Sequence, residues 1–140
     1  MLHELLHNNG EYALALGPGF FRKYAHCGIL SALESTECFH PSHISGSSAG
    51  AIVGTFLASG YKPSVLKPFL FDLKREDIWD MGGMFGLLKG QLFHDLMETK
   101  LPERVRDFSD LTIPLGLSAW DLFGFKTRNI TCRYLIALFS

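Results

Sequence analysis

The sequence predicts an α/β fold with a central, mainly parallel sheet and helices on both faces. Three observations carry this. A strand, a glycine-bearing loop and a helix follow one another twice within about 60 residues, and such connections need a crossover helix between parallel strands. A further apolar strand pattern follows the helices. The chain is 140 residues long and 47% hydrophobic, enough to bury a core.

The elements justify themselves in order. Tyr12 to Leu16, "YALAL", is a short apolar run closed by "GPG", the pattern of a strand buried on both faces and stopped by turn residues. From Arg22 to Thr36, Ala25, Ile29, Ala32 and Leu33 fall near helical spacing. "HIS", His43 to Ser45, is a very short strand. "GSSAG" turns the chain, and "AGAIVGTFLASG" is a small-residue helix that Gly60 stops. Pro63 opens the next helix where a first turn tolerates proline, whereas Pro68 predicts a kink or a split. Asp80 to Gly90 holds four glycines among apolar side chains without a period and is expected to be a mobile apolar loop. Leu92, Leu96 and Leu101 mark a helix, and Ile113 to Trp120 suits a strand with Pro114 near its start. There is no internal repeat, low-complexity tract or linker, so residues 1–140 read as one unit.

Charge and cysteine usage narrow the function. Lys and Arg total 13 against 14 Asp and Glu, and the cations are scattered, which argues against nucleic acid as a partner. Cys27, Cys38 and Cys132 form no C-x-x-C pair, so neither a disulfide framework nor a zinc site is expected and a reducing compartment, the cytoplasm, fits. No residue cluster implies a metal or an organic cofactor. The N-terminus lacks a secretory pattern and no window reaches the ~18 apolar residues of a membrane span, so any membrane contact is peripheral.

Gly46-Ser47-Ser48-Ala49-Gly50 matches G-x-S-x-G, in which the central serine occupies a strained strand-to-helix turn. The glycines let strand and helix backbones approach. The helix that starts beyond Ser48 directs unpaired N–H groups and a partial positive charge at a reacting hydroxyl, while Ser47 is a turn or capping residue. The plainer reading is a tight turn before a buried helix. Acyl transfer also needs a second set of N–H donors, which the loop after the first strand is placed to supply; equally, Gly17, Pro18 and Gly19 simply turn the chain.

Taken together the two loops resemble the patatin-like phospholipase family, whose pattern "LALGGGG-x-RG-x-AH-x-GVL" precedes a G-x-S-x-G motif. The matching residues are Leu14, Ala15, Leu16, Gly17, Gly19, Arg22, Ala25, His26, Gly28 and Leu30, then Gly46, Ser48 and Gly50. "GLLKGQLFHDLMETKL" and "FSDLTIPLGLSAWDL" extend the resemblance, which covers Tyr12 to Thr131. It implies hydrolysis of lipid acyl esters by a serine and aspartate dyad, with Ser48 as nucleophile. Gly19 and Phe20 would supply oxyanion N–H groups, braced by Arg22 and joined by the helix begun at Ala49. The implied substrate is a phospholipid or neutral glycerolipid, met at a membrane or lipid-droplet surface.

The chain departs from that pattern. Pro18, Phe20 and Lys23 stand where the family has glycine; Pro18 has no N–H and Phe20 resists positive φ. The family's aspartate lies in a D-G-[GA] motif, and no Asp here is followed by Gly. The sequence reads as the N-terminal portion of such a domain, ending ahead of that motif, with the apolar tail "CRYLIALFS" fitting the family poorly. The expectation is an impaired hydrolase, and the alternative is a catalytically inactive lipid-binding or interaction module of the same fold. A Ser-Asp-His set from Ser48, one of Asp72, Asp77 and Asp80, and His94 is a further alternative. His26 is expected to be packed and satisfied by backbone groups. Met81, Met84, Phe85, Leu87 and Leu88 are either loop packing or a lipid contact.

Overall fold

The computed structural model describes residues 12–78, 90–121 and 124–131. Strands β1 (Ala13–Leu16), β2 (His43–Ser47), β3 (Leu115–Asp121) and β4 (Lys126–Ile130) form one sheet in that order. β2 lies parallel to both β1 and β3, and β4 is antiparallel to β3. The helices are α1 (Arg22–Ser35), α2 (Ala49–Ala58), α3 (Pro63–Asp72) and α4 (Gln91–Lys100). This is the expected open α/β arrangement, a mostly parallel sheet with helices.

The core forms where α2 lies across the sheet. Val53, Phe56 and Leu57 from the helix join Leu16, Ile44, Leu115 and Leu117 from the strands in one buried cluster. α1 and α3 pack together behind it. α2 is therefore buried nearly all round, as its apolar composition requires. Phe56 is 1% exposed and stands edge-on to Tyr61 and Phe69, with centroids 5.6 and 5.2 Å away. Truncating it to alanine would cost about 3–5 kcal/mol. Gly60 ends the helix as expected. At φ 97° its N–H reaches the Leu57 carbonyl at 3.0 Å while the Tyr61 N–H reaches that of Phe56 at 3.1 Å. Arg104 closes this end, donating to the carbonyls of Ser59 at 2.7 Å and Asp110 at 3.1 Å.

Some expectations need correction. β1 is not buried on both faces: Leu16 is buried under α2, whereas Ala13 and Ala15, with His43 and Ser45 beside them, are exposed. Alanine on alternate positions leaves little apolar surface there to hide. Pro68 neither splits nor ends α3, which continues to Asp72. The carbonyl that loses its partner belongs to exposed Ser64, where water can replace the missing N–H. The helix stops before "KRED", and Arg75–Asp77 form a separate 3-10 turn. β3 begins one residue after Pro114, whose carbonyl accepts the Ile44 N–H at 2.9 Å. The anticipated apolar loop lies, but for Gly90, outside the described residues, as does the tail from Cys132. Among the described residues no helix is long and apolar enough to cross a membrane.

Candidate functional site

Ser48 is the residue between β2 and α2, with φ 52° and ψ −120°. A non-glycine residue there is strained by about 1–3 kcal/mol, held in place only if its surroundings over-determine it. They do. A Cβ on Gly46 would lie 2.4 Å from the Gly50 carbonyl oxygen, and one on Gly50 would lie 2.1 Å from that of Leu16. Strand and helix thus touch backbone to backbone, and the reversal falls on Ser48. The Ser48 carbonyl accepts the N–H groups of Ala51 at 2.9 Å and Ile52 at 3.2 Å, which starts the helix. The preceding N–H groups, on Ala49 and Gly50, have no partner among the described residues. The Ser48 side chain is exposed and its hydroxyl bonds to no described group. Ser47 is the last residue of β2, paired in register with Ser118.

The loop between β1 and α1 meets this elbow. The same Cβ on Gly50 would be 2.8 Å from the Gly17 carbonyl oxygen. Gly19 has φ 120°, a conformation that excludes other residues, and its carbonyl accepts the Arg22 N–H at 2.9 Å. The Arg22 side chain lies along the loop: hypothetical Cβ atoms on Gly17 and Gly19 would come within 3.3 Å of its Nη1 and 3.2 Å of its Cδ. The N–H groups of Gly19 and Phe20 donate to nothing among the described residues. Gly17, Gly19, Phe20, Arg22, Gly46, Ala49 and Gly50 are therefore brought to the same end of the sheet as Ser48.

Lys23 was legible in the sequence only as a departure from glycine, and it proves to be the support of this loop. It is 2% exposed. Its ammonium donates to the Leu73 carbonyl at the C-terminus of α3, where the helix dipole favours a cation. Nζ also sits 4.2 Å from the centroid of the Phe20 ring and 5.0 Å from that of Tyr24. Burial lowers its pKa. The signal for this role was the placement of aromatic residues three before and one after the lysine.

His26 is half-buried, but its Nδ1 has no partner among the described residues, contrary to the expected backbone bond. Burial and then the Arg22 charge lower its pKa. Among the described residues no hydrogen bond joins Ser48, Asp72, Asp77 and His94 into the alternative serine-aspartate-histidine set. His94 Nδ1 lies 3.5 Å from the Asp95 carboxylate on the same helix, and Asp77 accepts the Lys74 N–H at 2.8 Å. Asp80 falls outside the described residues.

Among the described residues two grooves lie beside the site. One, of about 580 Å³, runs over the exposed sheet face past Ala15, Ser45, Ser47, Ser118 and Asn129. The other, of about 680 Å³, is bounded by Phe20, Phe21, Tyr24 and Phe71 with Leu73 and Lys74.

The family model for patatin-like phospholipase matches residues 14–129. The chain belongs to the patatin-like phospholipase family. The match runs from β1 into β4 and takes in the Gly17 loop, the Ser48 elbow and β3. It makes the chain a member of a lipid hydrolase family, and lipid the class of substrate. Lys23 and its aromatic neighbours lie inside the matched span.

Proposed function

We propose that Ser48 is the nucleophile of lipid acyl ester hydrolysis, acting on lipids presented at a membrane or lipid-droplet surface. The observation that carries this is the Ser48 backbone at φ 52°, locked by the contacts of Gly46 with Gly50 and of Gly50 with Leu16. Strain at an exposed serine has no packing purpose, and it aims Oγ away from the sheet toward solvent. In this reading Oγ attacks the ester carbonyl, its proton passes to a base, and the alcohol leaves to give an acyl-enzyme that water then hydrolyses. The unpaired N–H groups of Gly19, Phe20, Ala49 and Gly50 stabilise the oxyanion, with Arg22 and Lys23 fixing the loop.

The base is the weak part of the site. No Asp-Gly pair exists in the sequence, and no described carboxylate bonds to Ser48. Turnover without that base is expected to fall to about 10³ to 10⁴-fold over water. The test is labelling with a fluorophosphonate serine probe beside Ser48→Ala, with p-nitrophenyl butyrate turnover measured on the same samples. Slow labelling lost in the variant, with little turnover, is the expected result. A folded protein that stays unlabelled overturns the reading and supports a lipid-binding module without chemistry.

A further inference from the structure

α1 and α3 pack side by side and run in opposite directions, because the bonds that join them link opposite ends. The Lys23 ammonium, in the first turn of α1, donates to the carbonyl of Leu73, the residue that closes α3. In the last turn of α1, the Glu34 carboxylate accepts the Ser64 N–H at 2.7 Å on one oxygen and the Ser64 hydroxyl at 2.9 Å on the other. Ser64 lies in the first turn of α3, where Pro63 has no N–H and the Lys62 side chain supplies no cap. The attachment points are about 16 Å apart along α1 and about 14 Å apart along α3, a mismatch that the long lysine side chain spans.

The signs of these charges follow α3 and not α1. α3 has no acid in its first turn and no base in its last, so it lacks the charges that its own macrodipole favours. α1 places a cation in its first turn and an anion in its last, the arrangement that its own dipole opposes. Both charges suit the neighbour instead, the anion at the N-terminus of α3 and the cation at its C-terminus.

The Lys23 pin touches the candidate site directly. Its Nζ sits 4.2 Å from the Phe20 centroid, and the loop is tied to the same turn by the Arg22 N–H on the Gly19 carbonyl at 2.9 Å and the Tyr24 N–H on that of Phe21 at 3.3 Å. The Leu73 carbonyl moves with α3, since the Leu73 N–H donates to the Phe69 carbonyl at 3.0 Å. Packed helices can slide past one another by about 1–2 Å, and apolar contact, being non-directional, resists separation more than sliding. The two-oxygen bond of Glu34 to Ser64 is directional and fixes the axial position. We infer that Glu34 is a remote positioning residue of the oxyanion loop: through Ser64 it holds α3 at the height where Leu73 anchors Lys23 and Lys23 holds Phe20. The inference rests on the proposed role of the Gly19 and Phe20 N–H groups and adds the residue that fixes their support.

Site-resolved amide hydrogen exchange on the full chain tests it, read at Arg22 and Tyr24, whose N–H groups bond to the loop. Glu34→Ala should speed exchange at both by about three- to tenfold, along with the first turn of α3. The milder Glu34→Gln, which keeps one acceptor oxygen, should give a smaller change in the same direction. Glu37→Gln, which removes an exposed acid from the same end of α1, should change neither. In a Lys23→Met background Glu34→Ala should add nothing at Arg22 and Tyr24, because the route through Leu73 is already cut. Faster exchange confined to the first turn of α3, or full additivity in the double variant, overturns the positioning role and leaves Glu34 a local cap. Fluorophosphonate labelling of Ser48 should slow about threefold in Glu34→Ala, and an unchanged rate beside faster exchange overturns it equally. A parent chain that shows no labelling refutes the nucleophile alone, since the exchange measurements do not depend on it.

Discussion

The carbonyl oxygen of Leu16 lies 2.1 Å from where a Cβ on Gly50 would stand, so the elbow helix rests directly on the backbone of the first strand. That contact ties β1 to α2 and leaves no room for a side chain. Gly50→Ala and Gly46→Ala should each destabilise the fold by about 3–5 kcal/mol or prevent soluble expression, since the obstructing atoms are backbone. Chemical denaturation measures this. Gly28→Ala provides the opposite case: a Cβ there meets nothing within 4 Å in the middle of α1. It should stabilise by about 0.5–1 kcal/mol.

Ser48 itself should be a place where function opposes stability. Its φ of 52° with ψ −120° costs a side-chain-bearing residue energy that glycine does not incur. Ser48→Gly should raise stability by about 1–2 kcal/mol, while Ser48→Ala should leave it near the parent value. Thermal unfolding of the three proteins gives the order. Equal midpoints for the glycine and alanine variants would show that the elbow carries no strain.

Much of this site could be read from the chain, because its logic is local. Two strand-loop-helix units and the G-x-S-x-G spacing place Ser48, Gly46 and Gly50 before any tertiary contact is known. The features that escaped depend on contacts distant in sequence. Lys23 becomes a support only because Leu73, fifty positions away, offers a carbonyl at the end of α3. β4, "KTRNI", shows neither apolar alternation nor a continuous apolar run, since every residue in it but Ile130 is exposed. Its identity as a strand comes from pairing with β3, which its own composition does not announce. Pro68 leaves its helix unsplit for a similar reason: the cost of its missing N–H depends on whether the orphaned carbonyl faces water.

Lys23→Met tests the support. The variant keeps the buried stem but leaves the Leu73 carbonyl without its donor and Phe20 without the overlying cation. The loss should be about 1–3 kcal/mol in equilibrium unfolding. The rate of fluorophosphonate labelling at Ser48 should fall further than this stability loss explains, because the Gly19 and Phe20 N–H groups are no longer held. A stability loss with an unchanged labelling rate would make Lys23 a packing residue only.

His26 gives the fold a pH dependence of predictable sign. Burial, assisted by Arg22, holds its pKa below the ordinary 6.5, so the imidazole resists protonation in the folded protein. Between that depressed value and 6.5 the unfolded chain binds more protons than the folded one, and stability therefore rises with pH across the window. On acidification the loss begins near 6.5 and ends once pH passes below the folded value, where both states are protonated. His26→Phe removes this contribution while filling the same space. Thermal midpoints recorded from neutral to acid pH should fall more steeply for the parent than for the variant through that window. Parallel curves would mean that the unpartnered Nδ1 is relieved by solvent, and that the packing of α1 around it is looser than the burial of this face implies.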